Sequence, residues 1–111
     1  MTHEMSLNPE PFKLIKSGRK VIEMRLYDER RKGIQIGDVI KFINNKTNET
    51  LSVDVINLYH FNSFEELYAH FDKTMLGYLP NEAADPADME LYYSKERIQR
   101  YGVLGIEIRV R

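Results

Sequence analysis

The 111-residue chain contains no cysteine. Disulfides and thiolate metal sites are excluded, and a reducing, cytoplasmic setting is expected. No apolar run approaches the ~18 residues of a membrane span, so no membrane partner is expected. The opening Met-Thr-His-Glu-Met lacks the basic and apolar regions of a signal peptide. Nor is there an excess of one charge: 16 Lys and Arg against 17 Asp and Glu leave a net −1. That balance argues against indiscriminate nucleic-acid binding, which needs a summed positive field. His3, His60 and His70 are widely spaced with no i, i+4 pair, so no metal site is expected and no cofactor is implied. A G-x-S-x-G elbow, a P-loop and a thiol nucleophile are all missing. Internal repeats, low-complexity tracts and linkers are missing too, and residues 1–111 are expected to form a single domain.

What is present is ordinary in amount and uneven in placement. The apolar fraction is 42% and the charged fraction 30%, enough for a modest core. Between Lys13 and Lys32 lie eight basic and three acidic residues; between Phe61 and Arg100 the acidic ones outnumber the basic. The basic segment is either an uneven solvated surface or a patch suited to phosphate, built from Lys13, Lys16, Arg19, Arg30 and Arg31.

Periodicity divides the chain into short elements. His3 to Leu7 alternates as a strand. Asn8 and Pro9 then open a helix with Phe12, Leu14 and Ile15 on one face, and Gly18 ends it. Val21 to Tyr27 reads as a second strand. Asp38 to Ile43 and Thr50 to Phe61 read as a hairpin joined by polar turn residues. Ser63 and Glu66 form a capping box for a helix. Thr74 to Pro86 reads as a loop, Asp85-Pro86 as the opening of a second helix, and Ser94 as the cap of a third that Gly102 stops. Val103 to Val110 closes the chain as a strand. The order β-α-β-β-β-α-α-α-β predicts an α+β fold, with about five to six strands curled into a small sheet or barrel.

The second strand raises a question. Alternation places Ile22, Met24 and Leu26 on one face, as core, and Val21, Glu23, Arg25 and Tyr27 on the other. Glu23 and Arg25 are then either an exposed ion pair, worth under ~1 kcal/mol, or groups lining a cleft with Lys20 swung over it. The aromatic residues of the helical half recur at helical spacing, which predicts core packing. One or two tyrosines beside the basic patch would suit stacking on a nucleic-acid base.

The segment GRKVIEMR, Gly18 to Arg25, resembles the G-x-K-x-x-E-x-R signature of ASCH domains. IQIGDVIKF resembles the Gly-Asp element that follows it in that family, and YGVLGIEIRV its last strand. Over nearly its whole length the chain is similar to stand-alone bacterial members. The resemblance implies a PUA-like fold, a small β-barrel with flanking helices. It also implies a cleft lined by Lys20, Glu23 and Arg25, with Gly18 supplying the turn, Arg19 beside them and Asp38 in a structural role. The implied partner is RNA, a nucleotide or a modified nucleoside. One branch resembles an amidohydrolase acting on N4-acetylcytidine, with a Lys at the position of Lys20 and a Thr at that of Glu23. Here the Thr is absent, which removes the hydroxyl nucleophile. A hydrolase would have to use Lys20 with Glu23 as base to water. Other members are associated with RNA cleavage, where Lys20 and Arg25 would stabilise developing charge. The expectations are therefore an RNA- or nucleotide-binding module, a small amidohydrolase or ribonuclease, or a protein-interaction domain using the acidic helical half.

Overall fold

The computed structural model describes all residues, 1–111. Five strands, β1 (Thr2–Leu7), β2 (Ile22–Leu26), β3 (Val39–Asn44), β4 (Thr50–Phe61) and β5 (Val103–Val110), form one sheet in the order β1-β3-β4-β5-β2. The β1–β3 pair is parallel and the other pairs are antiparallel. A register shift between Val55 and Asn57 bends β4 against β5, as an extra residue in one strand does. Helix α1 (Pro9–Lys16) connects β1 to β2, while α2 (Phe64–His70) and α3 (Lys95–Tyr101) lie between β4 and β5.

Local chemistry accounts for most boundaries. Ser63 accepts the Glu66 backbone N–H at 3.2 Å, and the Glu66 side chain returns to the N–H of Asn62 at 3.0 Å. Ser94 accepts the N–H of Arg97 in the same way. Gly18, at φ +80°, turns the chain after α1. Asn8 departs from expectation: its side chain does not cap α1 but accepts from Asn45 Nδ2 at 2.7 Å. The second strand is two residues shorter than its pattern. The N–H of Val21 goes to Met75 O, while Tyr27 N–H to Gly102 O and Ile108 N–H to Val21 O carry the pairing with β5 one residue past each end of the strand.

The connection after α2 is also more ordered than a loop. Asp72 accepts the N–H of Thr74 and winds Lys73–Leu76 into a 3-10 turn. The expected helix at Asp85-Pro86 is a 3-10 segment, Pro86–Leu91, held by i→i+3 bonds such as Asp88 N–H to Asp85 O. Ser94 restarts the chain as a new cap before an α-helical pitch is established.

Both faces of β2 are covered. Ile22, Met24 and Leu26 pack with Phe64, Leu67 and Leu76 under the helical segment. Glu23 and Arg25 point the other way, opposite Ile106 and Leu104 of β5, which belong to the cluster inside the curled sheet around Phe12, Ile40 and Phe42. This polar strand face is thus largely shielded from bulk water.

Candidate functional site

Glu23 is only 3% exposed, and Lys20 9%. A buried carboxylate persists as an anion only where opposite charges and hydrogen bonds replace water. Here they do. Lys20 Nζ lies 3.0 Å from Glu23 Oε1, which also accepts the N–H of Met24 at 3.2 Å. Arg25 donates from Nε and Nη2 to the single oxygen Glu23 Oε2 at 3.0 and 2.9 Å, two charge-assisted hydrogen bonds. Burial by itself would raise the Glu23 pKa. The adjacent Lys20 and Arg25 charges, with the hydrogen bonds from both, outweigh it and lower the pKa from 4.5 to about 2. The group carries one net positive charge, and both carboxylate oxygens are engaged.

These residues lie at the base of a cleft of about 740 Å³. One wall comes from β1 and α1, including Ser6 and Leu14; the other comes from α2 and the connection between α2 and α3. In that second wall the Tyr68 and Tyr78 hydroxyls are 2.9 Å apart, and Tyr78 donates to Asp88 Oδ2 at 2.7 Å. Burial, followed by the bonds to Tyr68 and Asp88, pushes the Tyr78 pKa far up, so its proton is fixed. Leu79, Leu91 and Tyr92 are 40%, 84% and 59% exposed and belong to the cleft lining. An apolar and aromatic rim thus surrounds a charged floor, the usual make-up of a small-molecule site. Gly77, at φ +103°, packs against Lys20, and a Cβ there would lie 3.4 Å from Lys20 Cδ.

The basic segment is dispersed. Arg19 lines the cleft. Lys13 and Arg30 are exposed, and Lys16 is paired with Glu49. Arg31 is tucked in beside Asp28, with its side chain 14% exposed. Asp38 accepts the N–H of Gln35 at 3.0 Å and contacts His3 Nε2 at 2.8 Å. It joins β1 to the turn before β3, away from the cleft. No group of three or more His, Asp or Glu side chains is arranged to hold a metal ion. No helix is long and apolar enough to cross a membrane.

The wall residues Tyr78, Tyr92 and Tyr93 belong to the aromatic set whose helical spacing predicts core packing, with one or two tyrosines left for stacking; Gly77 and Asp88 carried no signal in the sequence.

The family model described as the ASCH domain matches residues 5–110. The chain belongs to the ASCH domain family. Its fold is the α+β, PUA-like fold expected from the sequence, a partly closed barrel of five strands. Among solved structures, this ASCH chain is 35% identical to the hypothetical protein PH0355, each covering all of the other, with a TM-score of 0.85. It is 36% identical to protein PF0455 from Pyrococcus furiosus, over 99% of this chain and 97% of that one, with a TM-score of 0.76. A mutant ASCH protein from Zymomonas mobilis superposes with a TM-score of 0.72 at 14% identity, over 97% of this chain and 67% of that one. That last likeness is one of fold. No curated protein matches the sequence.

Proposed function

We propose that this ASCH domain binds RNA or a nucleotide, with Lys20, Glu23 and Arg25 at the base of the cleft recognising the ligand and Arg19 meeting its phosphate at the mouth. The observation that carries this is the state of Glu23. Its two oxygens are taken up by Lys20, Arg25 and a backbone N–H, and its pKa is lowered to about 2. A carboxylate so placed is a poor general base near neutral pH, because it has little affinity for a proton. It is well suited to hold two cationic donors in fixed positions. Lys20 and Arg25 retain N–H groups beyond those given to Glu23, and these suit phosphate oxygens or base carbonyls. Tyr92 on the rim offers a face for base stacking.

The test is a titration of labelled single-stranded RNA and of nucleoside monophosphates at rising salt. Affinity is expected to fall with salt, and Arg19→Glu is expected to weaken RNA of every sequence alike. Tyr92→Ala is expected to cost about 1–3 kcal/mol where a base stacks. Salt-insensitive binding, or none at low salt, would overturn the proposal. Release of a product detected by mass would instead favour a hydrolase.

A further inference from the structure

The hydroxyls on one wall of the cleft form a chain with a single direction. Tyr78 donates its hydroxyl hydrogen to Asp88 Oδ2 at 2.7 Å. A phenol has one hydrogen to give. In the 2.9 Å contact with Tyr68, Tyr78 therefore accepts and Tyr68 donates. The chain runs from Tyr68 on α2, through Tyr78, to Asp88 in the 3-10 segment Pro86–Leu91. Every hydrogen in it is engaged inside the wall. What remains for a ligand is lone pairs: those of the phenol oxygens and those of the Asp88 carboxylate, whose Oδ1 accepts nothing from the protein.

The floor has the opposite character. Lys20 and Arg25 carry donors only, and both oxygens of Glu23 are already taken by them and by a backbone N–H. Lys20, Arg25, Tyr68, Tyr78 and Asp88 all line the one cleft of about 740 Å³. It is thus lined by donors on its floor and by acceptors along this chain on its wall.

That polarity sorts the nucleobases. Uracil sets its N3–H between two carbonyls, which a carboxylate repels. Adenine and cytosine each have one amine beside a ring nitrogen that accepts. Guanine has two adjacent donors, N1–H and the N2 amine, which match the two oxygens of one carboxylate. It also has two adjacent acceptors, O6 and N7, which suit Lys or Arg.

We propose that the cleft is selective for guanine, with Asp88 accepting from N1–H and the N2 amine, Lys20 and Arg25 donating to O6 and N7, and Tyr78 fixing the position of Asp88. The assignment rests on the reading of the cleft as a nucleotide or RNA site and specifies the base. The Asp88 carboxylate repels phosphate, which leaves that group to Arg19.

Calorimetric titration with the 5′-monophosphates of guanosine, inosine, adenosine, cytidine and uridine tests it. Inosine keeps O6, N7 and N1–H and lacks only the amine. The guanosine nucleotide is expected to bind at least about tenfold more tightly than the inosine one, and more tightly than the other three. Asp88→Asn leaves one acceptor oxygen for two donors and is expected to bring guanosine and inosine to within about twofold. Asp88 is exposed, so the melting temperature should stay near that of the wild type. Tyr78→Phe releases Asp88 from its anchor and is expected to lower the guanosine-to-inosine ratio while leaving inosine affinity nearly unchanged. Should only a strand bind, the same ratio is read from a uridine pentamer with one central guanosine or inosine. Equal binding of all five bases, or tightest binding of another base, would overturn the guanine assignment and keep the nucleotide reading. A guanosine preference that survives Asp88→Asn would overturn the role of the wall. Binding of neither the monophosphates nor the pentamers would overturn both.

Discussion

Arg25 Nη2 donates to the backbone carbonyl of Ser6 at 3.0 Å, and so ties together the two outermost strands of the sheet. β1 and β2 stand at opposite ends of the strand order, and Arg25 spans the seam where the barrel stays open. The same guanidinium grips Glu23 in two hydrogen bonds. One side chain therefore helps close the barrel and positions the floor of the cleft.

Arg25→Gln is expected to destabilise the fold by about 2–4 kcal/mol, below the full cost of breaking a buried pair because Lys20 still faces Glu23. Arg25→Lys keeps the charge but cannot give both hydrogen bonds to Glu23 Oε2 and reach Ser6 together, and is expected to recover only part of the loss. Denaturant unfolding measures both. Hydrogen exchange should show faster opening at the β1 and β2 edges. Equal stability of Arg25→Gln and wild type would remove the seam role.

Glu23→Gln leaves Lys20 and Arg25 as uncompensated buried cations and is expected to cost about 3 kcal/mol or more at neutral pH. The pH dependence follows from the depressed pKa. The folded value of about 2 lies below the ordinary 4.5, so the ionised carboxylate favours the folded state. Its contribution is present above pH 4.5 and is lost as pH falls toward about 2. The stability gap between wild type and variant should therefore narrow over that window. Asp38, whose pKa is lowered to about 2 chiefly by its hydrogen bond to His3, titrates in both proteins and cancels from the comparison. A gap independent of pH would contradict the charge assignment. Added phosphate is expected to raise the melting temperature of the variant more than that of the wild type, by replacing the missing anion.

Gly77→Ala tests how Lys20 is positioned. The added Cβ would sit 3.3 Å from Leu14 Cδ1 and 3.4 Å from Lys20 Cδ, at φ +103°. Backbone strain alone is expected to cost about 1 kcal/mol. Gly37→Ala carries the same kind of strain, at φ +93°, with no atom within 4 Å of the new Cβ. Both variants are expected to melt earlier, but only Gly77→Ala should weaken ligand binding, several-fold, by shifting the Lys20 stem. Equal loss of binding in both would mean that strain, and not contact, acts on the site.

What the sequence by itself determined was local. The alternation of Ile22, Met24 and Leu26 with Glu23 and Arg25 established which side chains share a face, because a strand has a two-residue period whatever surrounds it. Ser63 and Ser94 announced their helices, since a cap needs only neighbours three residues away. The order of elements pointed to an α+β barrel. Tertiary structure decided what each face meets. The apolar face of β2 packs under the helical segment and its polar face lines the cleft, so the same alternation that elsewhere separates core from water here separates a core from a cleft. The wall of that cleft, from Gly77 to Tyr93, came from aromatic residues spaced like core. They became a rim because the segment folds into 3-10 turns over the open end of the barrel and leaves Tyr92 and Leu91 exposed. The basic run from Lys13 to Lys32 was one feature in the sequence and several in space: Lys20 and Arg25 at the cleft floor, Arg19 on its lining, Lys16 against Glu49 and Arg31 against Asp28. Charge is a property of residues, but its field depends on which partners the fold brings within a few ångströms, and many of those partners are distant along the chain.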